Sequence, residues 1–146
     1  MAILDNPGAR EDKEGKPFVC GTRCTLQQAV CEAGLKKESL YITYILKCRP
    51  IRRYDKAPAR SICSEYMNCQ IAYQNPEFVI CLGNTAVQWF FGNMEAEVKA
   101  LSGKLHTIRG ISTYVTYHPL AIRRRPNLRQ QFNEDWALLA KSYLKS

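Results

Sequence analysis

Four short apolar runs, separated by segments of helical periodicity, constrain this fold more than any other feature of the sequence. The runs cover residues 2–4, 40–46, 78–82 and 112–117. An uninterrupted apolar run is typical of a strand buried on both faces, and the helical segments supply the crossover connections that parallel strands need. We therefore predict the α/β class, with a three-layer α/β/α sandwich around a four-stranded parallel sheet. A chain of 146 residues without a repeat or linker predicts a single domain over residues 1–146.

Apolar residues at helical spacing predict the helices of this sandwich. Two sets of positions carry the pattern: Leu26, Ala29, Val30 and Ala33 in one helix, and Ile62, Tyr66, Cys69 and Tyr73 in another. We expect Gly34 to end the first helix and Asn75-Pro76 to break the second. Asn84 is expected to cap a short helix over 85–91, and the last helix is expected to cover about 128–144.

Basic residues outnumber acidic ones and are concentrated in two segments. The chain contains 21 Lys and Arg against 13 Asp and Glu, which gives a formal net charge of +8. One segment contains Lys47, Arg49, Arg52, Arg53, Lys56 and Arg60, and the other contains Arg123, Arg124, Arg125 and Arg129. Such a surface attracts polyanions, for example nucleic acid or an acidic membrane face, and a solvated basic surface is the alternative.

Neither a signal peptide nor a membrane span is expected from the sequence. Residues 1–4 lead directly into Asp5, which leaves no room for an apolar signal segment, and no apolar stretch is long enough to cross a bilayer. We expect a cytoplasmic protein whose seven cysteines are thiols or metal ligands rather than disulfides. Cys31, Cys69 and Cys81 are predicted to be core residues, because they lie on apolar stripes or on a buried strand.

Polar, basic and glycine residues follow each of the four predicted strands. They are found at 5–8, 47–50, 83–85 and 118–119. In open parallel α/β sheets the carboxyl ends of the strands form the ligand crevice, so this pattern favours a site for a phosphate-bearing ligand. A nucleotide-binding protein is one alternative, but the chain lacks both the G-x-G-x-x-G and the G-x-x-x-x-G-K-[ST] patterns.

Five segments together resemble one known family. They are "NPGARED", "GKPFV", "LYITYILKCRP", "VICLGNTA" and "TYHPLAIRRRP", and their order and spacing are similar to those of the uracil-DNA glycosylase superfamily, in particular its family 4 enzymes, which carry an iron–sulfur cluster. The resemblance extends from about Ile3 to the final helix. It implies the uracil-DNA glycosylase fold and excision of uracil, or of another deaminated base, from DNA by hydrolysis of the N-glycosidic bond.

The resemblance implies a role for five residues of the base-excision site. His118 is expected to donate a hydrogen bond to the departing base, and Phe18 to stack against that base. Asp5 falls where the family usually has Glu, beside the attacking water, and Asn6 next to it could help to position that water or the base. Tyr44 stands where the family has the asparagine that reads the uracil edge. Since a phenol cannot reproduce the pairing of an amide, we expect activity on uracil to be reduced, the pocket to take another base, or Tyr44 to fill the pocket.

The basic residues implied by the resemblance to grip DNA lie in the two arginine-rich segments. They are Lys47, Arg49, Arg52, Arg53, Arg123, Arg124 and Arg125, and we expect them to hold backbone phosphates without reading sequence. The expected partner is DNA that contains a damaged or deaminated base. We expect the protein to be a monomer.

The resemblance implies a [4Fe–4S] cluster that is held by four cysteines, of which this chain matches two. Cys48 and Cys63 correspond to the last two ligands, and the upstream pair is absent, because the chain begins inside the first strand. Cys20 and Cys24 form a C-x₃-C pair that we do not assign as replacements. Either the chain is an N-terminally shortened member of the family, or this branch has lost the cluster.

A binding module with the same fold is the main alternative to an enzyme. Tyr44 and Asp5 depart from the family pattern and favour a protein that recognises DNA or DNA damage without chemistry. His118 and Phe18 match the pattern and favour catalysis.

Overall fold

The computed structural model describes residues 1–4, 21–35, 41–44 and 56–145, with the side chains of these residues except 21–24, 44, 56–64 and 145. The strands are β1 (Ala2–Leu4), β2 (Ile42–Tyr44), β3 (Phe78–Leu82), β4 (His106–Ile108) and β5 (Ile111–Thr116). The helices are α1 (Gly21–Glu32), α2 (Lys56–Gln74), α3 (Asn84–Phe91), α4 (Val98–Leu101), α5 (Pro119–Arg124) and α6 (Arg129–Lys145), with a 3₁₀ turn at Pro126–Leu128.

The predicted α/β class and the four parallel strands are confirmed. The sheet has the order β2-β1-β3-β5-β4, in which the first four strands are parallel and β4 is antiparallel to β5. This fifth strand was not predicted. Arg109 (φ 55°) and Gly110 (φ 77°) form the two-residue turn of the β4–β5 hairpin, and left-handed backbone at both positions is typical of such turns. Asn or Asp commonly occupies the first position of such a turn, and because this chain has arginine there, the sequence pattern did not predict the turn.

The side chain of Arg109 is held by two aromatic rings and by one hydrogen bond. Its guanidinium carbon lies 4.8 Å from the ring centroid of Trp89 and 5.0 Å from that of Phe90. Its Nη1 donates a hydrogen bond of 3.1 Å to Asn68 Oδ1. These contacts join the hairpin to α2 and α3, and they offset the cost of a left-handed residue with a side chain.

Alternate residues of the strands face two separate cores, which explains why the strands are apolar throughout. On one face Ala2, Leu4, Ile80, Leu82 and Tyr114 pack with residues of α1, α5 and α6. On the other face Ile3, Val79, Cys81 and Val115 pack with residues of α2, α3 and α4. A sheet with helices on both faces therefore confirms the layered arrangement that the apolar runs predicted.

The helices largely match their predicted positions, but the buried face of α2 does not. Tyr66 and Tyr73 are 62% and 88% exposed, so the predicted apolar stripe faces outward, whereas Met67 is fully buried. Gln70 lies on the packed side of the helix, where its Oε1 accepts a 2.8 Å hydrogen bond from Thr43 Oγ1. The polar Gln70 interrupts the apolar spacing on the buried face of α2. The exposed Tyr66 and Tyr73 have helical spacing on the other face, and this spacing led to the wrong prediction.

The described cysteines divide between core and surface. Cys81 is buried on β3, as predicted, and burial raises the pKa of its thiol. Cys31 and Cys69 are exposed, so their prediction as core residues was wrong. The reason for Cys69 is the outward orientation of its stripe on α2, and Cys31 lies near the exposed end of α1. None of the helices in the described ranges has the length and apolarity to cross a membrane.

Thiol alkylation tests this division. In the folded protein Cys31 and Cys69 should react with iodoacetamide, whereas Cys81 should react at least about 10³-fold more slowly, because its modification requires an opening that costs about 5 kcal/mol or more. Peptide mass spectrometry after labelling measures each site, and labelling in guanidinium chloride is the control in which all three should react. Equal native labelling of Cys81 and Cys69 would contradict the buried placement.

Candidate active site

Backbone pairing brings the ends of four strands to the same level. Leu4 pairs with Tyr44 across β1 and β2, and Leu82 pairs with Thr116 across β3 and β5. Because Ile3 pairs with Cys81, extending this register by one residue sets Leu4 level with Leu82. The segments that leave these strands therefore start along one edge, with the ends of β1 and β5 about 10 Å apart across two strand spacings.

A groove of about 690 Å³ lies at this edge, beyond β3 and β5. Its lining comes from the residues directly after both strands and from the short helices and turns that follow: Gly83, Asn84, Glu97, Val98, Lys99, Tyr117, His118, Leu120, Ala121, Arg124, Arg125 and Leu128. The part of the predicted crevice that lies beyond β3 and β5 is thus present, and its lining includes the predicted His118.

His118 is held at the entrance of α5. It is the N-cap residue, with extended backbone (φ −65°, ψ 141°), and Pro119 follows as the first helical residue. Its Nδ1 accepts a 3.0 Å hydrogen bond from the Leu120 amide. Since Nδ1 is the acceptor, a neutral ring carries its proton on Nε2.

Gly83 allows the loop after β3 to lie close against His118. Its φ of +97° is a conformation that residues with a side chain rarely adopt, and an added Cβ would come within 3.4 Å of the His118 Cβ. The Gly83 amide donates a 3.0 Å hydrogen bond to the Thr116 carbonyl. A glycine here keeps the two loops in contact.

Asn84 connects the groove to α4 instead of capping α3. It is the first residue of α3, and its Oδ1 accepts a 2.9 Å hydrogen bond from the Val98 amide at the start of α4. The expected cap on α3 was therefore wrong, because Gly83 occupies the cap position and the asparagine side chain points to a partner distant in sequence. The bond places α4, with Lys99, along the groove wall.

The groove is positively charged on balance. Lys99, Arg124 and Arg125 line it, and Glu97 is the one acidic residue in the described lining. Arg123 is exposed but lies outside the described lining, so two of the three predicted arginines of this segment meet the groove. Lys99 was missed, since it belongs to no motif and reaches the site only through the Asn84 bond. The excess of cations suits a polyanionic ligand.

Several predicted site residues fall outside the described residues: Asp5, Asn6, Phe18, Lys47, Cys48, Arg49, Arg52 and Arg53. The backbone of Tyr44 ends β2, level with Leu4 at the end of β1. The arrangement of the predicted site residues around His118 stays a prediction.

The described residues do not by themselves form a metal centre. In ranges 1–4, 21–35, 41–44 and 56–145, no three His, Cys, Asp or Glu side chains are grouped so that they could hold a metal ion. Of the two matching cysteines, Cys48 lies outside these ranges, and Cys63 is described only as backbone of α2. The side chains of both matching cysteines therefore lie outside the described part of the chain, and the cluster stays a prediction.

The chain is similar to several proteins of known family. The sequence model of the Uracil DNA glycosylase superfamily matches residues 2–140. The "Type-4 uracil-DNA glycosylase" of Archaeoglobus fulgidus is 33% identical over 142 residues, which cover 92% of this chain and 71% of that protein. The protein of the same name from Saccharolobus solfataricus is 34% identical over 145 residues, covering 93% of this chain and 67% of the relative.

A third relative is named as a different kind of protein. A "DNA polymerase" of Bacillus phage SP01 is 26% identical over 142 residues, which cover 96% of this chain but 15% of the polymerase. The match along nearly the whole chain, together with His118 in a cationic groove at the carboxyl ends of parallel strands, leads to one assignment: the protein belongs to the uracil-DNA glycosylase superfamily.

Proposed function

We propose that this protein is a DNA glycosylase that hydrolyses the bond between uracil, or a related deaminated base, and deoxyribose. The observation that carries the proposal is the placement of His118 in a cationic groove, within a chain that matches the superfamily over residues 2–140. We further propose that the activity belongs to one domain that spans residues 1–146 and acts on a nucleotide flipped out of the DNA stack.

His118 is proposed to stabilise the base as it leaves. When the C1′–N1 bond breaks, its electron pair stays on the base, and negative charge collects on the base oxygens. The hydrogen bond from the Leu120 amide to Nδ1 places the proton of the neutral ring on Nε2, and we propose that Nε2 donates this proton in a hydrogen bond to such an oxygen. Because the N-cap position holds the ring before the base arrives, little reorganisation is needed in the transition state.

Asp5 is proposed to act on the sugar side of the bond. It directly follows Leu4, whose position in the sheet is level with Leu82, so its segment starts on the edge where the groove lies. A carboxylate here favours the oxocarbenium-like sugar and accepts the proton of the water that adds to C1′. Asn6, the next residue, is proposed to orient that water or the base.

Phe18 and Tyr44 are proposed to form the base pocket. Phe18 would stack on the face of the base, a contact worth about 1–3 kcal/mol. Tyr44 would meet its edge, where an amide would read both a donor and an acceptor and a phenol offers one group. We therefore propose that base selection, more than DNA binding, separates this protein from enzymes with asparagine at this position.

The basic residues are proposed to hold DNA around the flipped nucleotide. Arg124, Arg125 and Lys99 line the groove and are proposed to bind phosphates there. The basic residues after β2, Lys47, Arg49, Arg52 and Arg53, are proposed to bind phosphates of the DNA strand. Arg123 is proposed to bind a phosphate farther from the groove. A binding module without chemistry is the less favoured alternative, because the relatives with over 30% identity cited above are named as glycosylases.

Uracil excision should depend on His118. His118→Ala should lower the single-turnover excision rate by about 10²- to 10³-fold, the usual cost of removing a donor to a developing oxyanion, with DNA affinity little changed. Alkali cleavage of a labelled oligonucleotide with a single uracil measures the rate. Lys141→Ala, on the exposed side of α6, is the control and should be fully active. An intact strand after treatment with the wild-type protein would support the binding module instead.

Restoring an amide at the end of β2 should improve uracil recognition. Tyr44→Asn should raise the rate of uracil excision by about tenfold or more, because the amide can pair with both groups of the uracil edge. Tyr41→Asn changes the same residue type three positions earlier on the chain and should give no gain. A folded Tyr44→Asn protein without improvement would contradict the proposed role of Tyr44.

DNA affinity should fall with salt, and the groove arginines should account for part of that dependence. Arg124→Ala and Arg125→Ala should each reduce the slope of log Kd against log salt by about 0.7–0.9, the contribution of one phosphate contact. Fluorescence anisotropy measures the slope. Arg123→Ala should change it less, and Lys141→Ala, which removes the same charge elsewhere, should leave it unchanged. Equal slopes for all four variants would contradict a phosphate site in the groove.

A further inference from the structure

A buried carboxylate behind the groove has no part in the proposed chemistry. Asp135 on α6 is 2% exposed. Its Oδ1 accepts hydrogen bonds from the Gly103 amide (2.8 Å) and from Gln131 Nε2 (2.9 Å), and its Oδ2 accepts one from Thr116 Oγ1 (2.7 Å). Burial raises the pKa of this carboxyl above its usual value, and the three hydrogen bonds act in the opposite direction. Such a group is costly to bury, and its partners indicate what it holds in place.

The bond from Thr116 connects Asp135 to the His118 side of the groove. Thr116 is the last residue of β5 and is fully buried. Its hydroxyl is held by Asp135, while its carbonyl accepts the Gly83 amide. His118 is only two residues further along the chain and lies against Gly83. The segment that carries the imidazole therefore starts at Thr116, which is fixed by one hydrogen bond to Asp135 and another from Gly83.

The bond from Gly103 connects the same carboxylate to the opposite wall. Gly103 follows α4, which carries Lys99, and its φ of +77° turns the chain back toward β4. The start of α4 is held by Asn84 and the segment after α4 by Asp135. The two oxygens of one side chain thus hold both walls of the groove, one oxygen for each wall.

We propose that Asp135 is a positioning residue for base excision, which sets His118 and the α4 wall relative to each other through Thr116 and Gly103. It touches neither the base nor the sugar. The inference rests on the proposed glycosylase function, because it concerns the geometry of that site. A donor that must meet a developing charge tolerates little displacement, and a shift of about 1 Å can cost about 10²-fold in rate.

Substitutions of the linked pair test the proposal. Asp135→Ala and Thr116→Val should each lower the single-turnover rate of uracil excision by about 10- to 10²-fold while DNA affinity stays near that of the wild type. Asp135→Asn should recover most of the rate, since the amide oxygen can accept from Gly103 and the amide nitrogen can donate to the Thr116 hydroxyl. Thr116→Ser keeps the hydroxyl and should likewise be active.

Gln131→Ala is the matched control. It removes a hydrogen bond to the same carboxylate, but Gln131 lies on α6 itself, and within the described part of the chain it forms no hydrogen bond to either wall. Its excision rate should remain near that of the wild type. A purely structural role for Asp135 would lower the melting temperature of all these variants and leave the rate at low temperature unchanged, which would overturn the proposal.

Nuclear magnetic resonance gives a readout that does not depend on activity. In the wild type the imidazole ¹⁵N shifts of His118 should report the Nε2–H form, with the Leu120 amide hydrogen-bonded to Nδ1. In Asp135→Ala and Thr116→Val these signals should move toward a mixture of tautomers, and in Gln131→Ala they should not. If Asp135→Ala does not fold, Thr116→Val carries the same test.

The two measurements separate failure of the inference from failure of the function. A wild-type protein without uracil excision, in which the His118 signals still respond to Asp135, would refute the proposed function and retain the positioning role. A wild-type protein that excises uracil, with folded Asp135→Ala and Thr116→Val variants that match it in rate and His118 spectrum, would overturn the inference.

Discussion

Parallel hydrogen bonding between β1, β2, β3 and β5 is the constraint on which the rest of the structure depends. The pairing sets Tyr44, Leu4, Leu82 and Thr116 at one level, so these four strands end along the same edge of the sheet. Both faces of the sheet are buried, and a shift of one residue would exchange the side chains of the two cores. The packing of these two cores therefore fixes the register of the strands and keeps their carboxyl ends at one level.

The proposed function gives two electrostatic tasks to different side chains of the groove. Lys99, Arg124 and Arg125 line the groove, and we propose that their positive charge binds the phosphate backbone. We propose His118 as the directed donor, and its Nδ1 accepts the Leu120 amide. Binding of the backbone and stabilisation of a leaving base are thus assigned to different side chains, which explains why arginine variants are expected to affect affinity and the histidine variant to affect rate.

Hydrogen bonds between residues distant in sequence complete this arrangement. Asn84 joins α3 to the start of α4, and Asp135 joins β5 to the segment after α4. Both side chains bond to backbone or side-chain groups far away in sequence, and neither follows a local rule of capping or turn formation. The buried face of α2 likewise depends on a contact between distant residues. Gln70 on its packed face bonds to Thr43, while Tyr66 and Tyr73 face outward.

The sequence alone determined the features that depend on local pattern: the four apolar strands, the helices between them, the carboxyl-end edge, and His118 before Pro119 in a segment typical of its family. Apolar periodicity and chain order are enough for these, because strands and crossovers follow from residues near one another. Only the tertiary structure decided which face of α2 is buried and that β4 extends the sheet. It also decided that Lys99, Arg124 and Arg125 but not Arg123 meet the described groove, and that Asp135 bonds to Thr116 at the end of β5. These features depend on contacts between distant segments, and a one-dimensional pattern does not contain the distances that create them.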